Sequence, residues 1–332
     1  MSALRARVRP HERPVWSRER LIVERARLLA NTLAPNTRIA YNAAFNSYML
    51  FCNAHAFSME PTPDTLSFYI TYMASFVKPT TVASYLSGIA SNLEEIYPEV
   101  RKVRKHWLVT RTLQGAMRTF NTPKQRKRHL TTEDLLVLDE HVDCNPTHDL
   151  LLFRAMVFVG FHGLLRADEL TLSSNVVARD TRRTMMRSHL QPRDDGYDLT
   201  LRAHKADQTY IGSTVVLRPT DPLVNPIPRL NDYLTSRDRL FPLKPFLWSK
   251  TDGSVPSYPW FFRHIQDILG DDLGGSSMRS GGATWLAASG KTHDDIRSTG
   301  RWASDAYENY LRAHPLIVHA MMFRPLNFFS LL

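Results

Sequence analysis

The sequence predicts a mainly α-helical protein in two parts: an N-terminal helical bundle, then a mostly helical domain carrying one small antiparallel β-sheet. Three observations lead there. From residue 16 to residue 120 apolar side chains recur at helical spacing behind N-cap signals. A polar, charged stretch, Asn121 to His129 with Pro123 inside it, reads as an interdomain linker. Beyond it, strand-like alternation is confined to two short runs. A chain of 332 residues, 43% of them hydrophobic, suffices for two domains with real cores.

The elements follow in order. Residues 1–15 are a basic, flexible N-terminus. Asn36-Thr37 can cap a helix to about Ala54, with Ile39, Tyr41, Ala44, Tyr48 and Phe51 on one face. Thr62-Pro63 opens a helix over Asp64 to Phe76. Lys78-Pro79 opens another, whose buried stripe is Val82, Tyr85, Leu86, Ile89 and Leu93. Pro98 starts a basic helix to about Thr119. After the linker, Thr131 and Asp134 form a capping signature, and an apolar helix spans roughly Asp149 to His162. Tyr197, Leu199, Leu201 and Ala203 alternate with polar residues as in a strand, and Thr214 to Leu217 is a second β-rich run. Lys205 lies at the mouth of the hairpin connection between them. Helices resume near Pro222, Pro256 and Ser277. The domains are thus 16–120 and 130–314, joined by 121–129, with an apolar tail over 315–332.

Composition narrows the function. No apolar run approaches the roughly 20 residues of a membrane span. Met1 to Arg27 is studded with arginine, lacks an apolar core and does not read as a secretory signal. Cys52 and Cys144 are too few for a disulfide framework or a zinc site. The net charge is +10, and between Arg101 and His129 there are ten Lys or Arg and no Asp or Glu. They are Arg101, Lys102, Arg104, Lys105, Arg111, Arg118, Lys124, Arg126, Lys127 and Arg128. A one-signed block of this length repels itself unless a polyanion lies against it. Lys124–Arg128 also has the composition of a nuclear import signal.

The last third carries the candidate chemistry. Arg279, Trp302 and Tyr310 lie in one short segment as a cation, a ring N–H donor and a phenol, a set suited to one phosphate. Cleaving a phosphodiester without metal requires a nucleophile, positive charge at the non-bridging oxygens and an acid for the leaving oxygen. A phenol has an ordinary pKa near 10, so cations must favour its oxyanion. Arginine suits the oxygens because its planar fork binds two at once, and lysine suits the acid.

Gly163-Leu-Leu-Arg166-Ala-Asp-Glu-Leu170, Lys205 after a strand, Arg279 before an Ala/Gly-rich helix, Gly300-Arg-Trp302 and Tyr310-Leu-Arg together resemble the tyrosine recombinases, the family of phage integrases and of Cre and Xer recombinases. Asn36-Thr-Arg-Ile-Ala-Tyr and Thr80-Thr-Val-Ala-Ser-Tyr are similar to that family's core-binding domain, a SAM-like helical bundle. The Gly-Arg-Trp form and the Gly-Gly-Ala-Thr-Trp helix look closest to enzymes of eukaryotic mobile elements such as Cryptons.

The resemblance implies a site-specific DNA recombinase acting through a covalent 3′-phosphotyrosyl intermediate. Arg166 and Arg279 would hold the scissile phosphate, Glu169 would orient Arg166, and Lys205 would protonate the leaving 5′ oxygen. Trp302 would donate its indole N–H, and Tyr310 would attack, with Tyr307 as a rival on nearly the same helical face. The implied partners are double-stranded DNA and further copies of the chain, a dimer on a site and a tetramer in synapsis. No cofactor, metal, membrane or small-molecule substrate is implied. The location would be the nucleus in a eukaryote and otherwise the nucleoid. One position departs from the family: Ser276 stands where a histidine is usual, and serine cannot act as a cation near neutral pH. A DNA-binding relative with weakened cleavage and a type IB topoisomerase therefore stay open as alternatives. The apolar tail packs either on its own domain or on a neighbouring protomer.

Overall fold

Caps and prolines set where the N-terminal helices begin. The protein is described from a computed structural model, over residues 14–120, 122, 127–173, 175, 179, 184–202 and 212–302. It is mainly helical with one three-stranded antiparallel sheet, and divides into two units, Met1–Lys124 and Gln125–Leu332. In the first, Ser17 caps α1 (Arg18–Ala30) by accepting the Arg20 N–H. The second helix, α2 (Pro35–Ala54), begins just before the expected Asn36-Thr37. Pro35 has no N–H to leave unsatisfied and its fixed φ suits the first turn, so no side-chain cap is needed. A reciprocal Thr62–Thr65 capping box opens α3 (Pro63–Ala74), and Pro79 begins α4 (Pro79–Leu93).

The expected basic helix from Pro98 is two helices, α5 (Val100–Arg104) and α6 (Trp107–Phe120). The Lys105 and His106 amides bond back only three residues, to Lys102 and Val103, which tightens and ends the turn. The His106 ring then accepts the Leu108 N–H and its carbonyl accepts that of Thr110, starting α6. Tyr48, Phe51, Leu66, Tyr69, Ile70, Val82, Leu86 and Ile89 form the core of this unit. Ile39, expected on the buried face, is exposed.

The second unit is built around α8 (His148–His162), buried on every side from Leu152 to His162. The arginine within that buried stretch of α8, Arg154, is paired with Asp143 at 2.6 Å and Asp232 at 2.8 Å, as a buried cation must be. The Thr131–Asp134 capping box opens α7 (Thr132–Cys144) as the sequence predicts. A short α9 (Ala167–Leu170) precedes the sheet of β1 (Leu190–Arg193), β2 (Gly196–Leu201) and β3 (Ser213–Leu217), in the order β1-β2-β3. The sequence gives no sign of β1, because Gln191, Pro192 and Arg193 neither alternate nor favour a strand; proline is tolerated there because β1 is an edge. Leu201 pairs with Ser213, so the segment holding Lys205 joins β2 to β3.

Four helices follow: α10 (Pro226–Leu240), capped by Asn225 and not starting at Pro222, α11 (Tyr258–Leu269), α12 (Ser277–Ala288) and α13 (His293–Thr299). Gly281 and Gly282 let α12 lie against backbone. A Cβ on Gly281 would collide with the Leu130 carbonyl, and one on Gly282 with that of Phe161 in α8. Among the described residues no helix is long and apolar enough to cross a membrane.

These approaches predict opposite signs for one substitution at two helical glycines. Gly281→Ala should destabilise the protein by about 1–3 kcal/mol through overpacking against backbone. Gly115→Ala, in α6 with nothing within 4 Å of the added methyl, should stabilise it by about 0.5–1 kcal/mol. Urea unfolding of both variants checks the pair; equal effects would contradict the packing described for α12.

Candidate active site

Two helix ends position the candidate residues. At the end of α8, the Leu164 N–H bonds the Phe161 carbonyl and the Leu165 N–H reaches back to Gly160. At the end of α13, the Arg301 N–H bonds Ser298 and the Trp302 N–H reaches back to Arg297. Each is a Schellman cap, whose first residue past the cap must be left-handed and is usually glycine. Here those residues are Leu164 at φ 48° and Arg301 at φ 55°. A non-glycine residue held there costs about 1–2 kcal/mol, so other contacts must hold it.

The two caps hold each other. The Arg301 guanidinium donates to the carbonyls of Gly163 and Leu164, both at 3.1 Å, and to Thr299 at 3.1 Å. It also stands 3.5 Å from the Glu169 carboxylate. Burial pushes the Arg301 pKa down and the Glu169 charge opposes that shift.

The Glu169 side chain is buried and serves both arginines. Its carboxylate accepts the Arg166 backbone N–H at 2.9 Å and the Arg166 guanidinium at 3.0 Å. The Arg166 side chain remains 28% exposed, enough to present one edge to an anion. Arg279, on the first turn of α12, donates to the Gly300 carbonyl, and its guanidinium lies 4.6 Å from the Trp302 ring centroid. Gly300 is required there, since a Cβ would fall inside the Trp302 ring. One connected set therefore runs Arg166, Glu169, Arg301, Gly300, Arg279, Trp302, bringing together three sequence segments.

Ser276 is the N-cap residue of α12; it is exposed, and its hydroxyl makes no capping bond. The neighbouring Ser277 hydroxyl instead accepts the Gly274 N–H and donates to the Arg128 carbonyl at 2.6 Å. Tyr310, its rival Tyr307, Lys205, Lys124, Arg126 and the tail 315–332 lie outside the described residues.

Within the basic block the described cations divide. Arg128 is tied inside its own unit, to Asp134 at 2.5 Å and Asp272 at 2.6 Å, and Lys127 donates to the Asp271 carbonyl. Arg128 thus has acidic partners within its own unit, one of them the Asp134 of the α7 cap. Arg101 forks onto Glu94, Lys102 pairs with Glu99, and Arg104 donates to Ser87. Those two acids lie just upstream of the block, where a count from Arg101 onward misses them. Lys105, Arg111 and Arg118 are exposed, Arg111 over the Trp107 ring.

Arg301 is the residue that sequence reasoning missed. It sits inside the Gly-Arg-Trp motif, but its left-handed backbone and its bonds to residues more than 130 positions away have no local signal.

Solved structures were compared with this fold. A lambda integrase dimer bound to a COC′ core site superposes with a TM-score of 0.55 at 13% identity, over 87% of this chain and 93% of that one. XerH recombinase bound to a palindromic difH substrate, a post-cleavage complex, gives 0.56 at 13% identity over 86% and 78%. The chain has the tyrosine recombinase fold. No family model matches the sequence, and no curated protein matches it. At this identity the likeness is one of fold, and within that fold the second unit carries the arginine network described above.

The left-handed cap reverses the usual rank of alanine and glycine. Arg301→Ala and Arg301→Gly should both destabilise the protein by about 2–4 kcal/mol, through the loss of bonds to buried acceptors. The glycine variant should be the more stable by about 1 kcal/mol. Chemical unfolding decides it; an alanine variant as stable as the glycine one would rule out the strained cap.

Proposed function

We propose that this chain is a site-specific DNA recombinase or integrase, cutting and rejoining duplex DNA without metal. The observation that carries the reading is the joining of Arg166 and Arg279, 113 positions apart in sequence, by one network through Glu169, Arg301 and Gly300. Two arginines held together in this way suit the two non-bridging oxygens of one phosphate.

In this reading Tyr310 Oη bonds to phosphorus as the bond from phosphorus to the 5′ oxygen breaks. Lys205 gives that oxygen its proton, and the phenol's proton leaves to solvent. The phosphotyrosyl bond conserves the phosphodiester energy, so a free 5′ hydroxyl suffices for rejoining. Lys105, Arg111 and Arg118 supply part of the electrostatic surface for the duplex. Self-association is supported by the likeness to lambda integrase, solved as a dimer on a core site and as a tetramer on a Holliday junction, the latter with a TM-score of 0.54.

A second reading, a DNA-binding protein with weak cleavage, is favoured by Ser276 in the usual histidine position and by the burial of Arg279, 1% exposed beneath Trp302. Incubation with nicked suicide DNA, after selection of the bound sequence, separates the two. The recombinase reading expects a covalent protein–DNA adduct that Tyr310→Phe abolishes. Tight binding with no adduct would establish the second reading instead.

A further inference from the structure

The phenol of Tyr258 stands against Gly275, the residue before Ser276. Tyr258 is the first residue of α11, and two backbone bonds fix it against the segment after α9. Leu172 donates to the Pro256 carbonyl at 2.8 Å, and Tyr258 donates to the Leu172 carbonyl at 3.2 Å. Its ring lies 4.5 Å from that of Phe262, one turn along. On the other side it reaches the start of α12: a Cβ built on Gly275 would come 2.7 Å from the Tyr258 hydroxyl oxygen. Gly275 immediately precedes Ser276 and lies four residues before Arg279. Glycine is therefore what lets the phenol oxygen lie against this backbone.

Three properties suit the hydroxyl to a ligand. The residue is 39% exposed, so it is open to approach. Its hydroxyl makes no intramolecular hydrogen bond among the described residues. Burial of the ring, and then the charge of Asp168, two residues after Arg166, raise its pKa. A phenol so placed keeps its proton at neutral pH and acts as a donor, not as a second nucleophile.

We infer that Tyr258 is a further catalytic residue, donating its O–H to a non-bridging oxygen of the DNA phosphate held by Arg166 and Arg279, beside the short Ser276. The inference rests on the recombinase reading. It assigns to α11 the neutral donor that Ser276 is too short to provide alone, at the opening of the helix that carries Arg279.

The test is single-turnover adduct formation on suicide DNA by the full-length chain and Tyr258→Phe. Loss of one preorganised donor should slow cleavage about tenfold to a hundredfold, with DNA affinity within about twofold of the parent. A structural defect would lower the rate on any substrate, so both proteins are also run on each of the two methylphosphonate diastereomers at the cleaved position. In the diastereomer that lacks the donated-to oxygen the two rates should converge. Equal rates on ordinary DNA, or the same deficit on ordinary DNA and on both diastereomers, would overturn the role of Tyr258. Absence of any Tyr310-dependent adduct with the unaltered chain would overturn the recombinase reading itself, a separate outcome.

Discussion

The second unit depends on one buried guanidinium. Arg301 bonds the carbonyls that end α8 and stands against the carboxylate that orients Arg166. Its own peptide neighbour, Gly300, accepts the bond from Arg279. Without that side chain, two Schellman caps would hold left-handed residues 164 and 301 without the bonds that tie one cap to the other. With it, the strain of each cap is offset by bonds to the other, and the arginines they carry share one frame. A fork geometry is needed, because one cation must serve several carbonyls and a carboxylate at once.

That arrangement places positive charge by backbone geometry. Arg166 is held from behind by Glu169 and offers its outer edge, whereas Arg279 lies under Trp302. The indole is thus both a wall of the site and a cover over its second cation. Gly300 makes the cover possible, as Gly281 and Gly282 make possible the close seating of the helix beneath it.

Much of this architecture was legible in the sequence, for local reasons. The Thr62 and Thr131 caps and the apolar run of α8 act within a few residues, and they fall where the patterns put them. The start of α2 and the break between α5 and α6 differ, because proline chemistry and the His106 turn act below the level of periodicity. The edge strand β1 is held by its partner's pairing and not by its own composition. In the site, Arg166, Glu169, Arg279 and Trp302 were legible as motif positions. Arg301 was not, since its partners are distant and its backbone conformation is one that its residue type rarely adopts. The pairing of Arg128 with Asp134 and Asp272 was likewise hidden, because a charge count along the chain does not register partners brought in by folding.

Glu169 and the Gly300-Arg301-Trp302 turn form one cooperative unit. Amide hydrogen exchange in Glu169→Gln tests it most directly. Exchange should be faster, by about tenfold, at the Arg301 and Trp302 amides as well as at Leu164 and Leu165, with the amides of α7 unchanged. Exchange at Arg301 and Trp302 identical to that of the unaltered protein would contradict it.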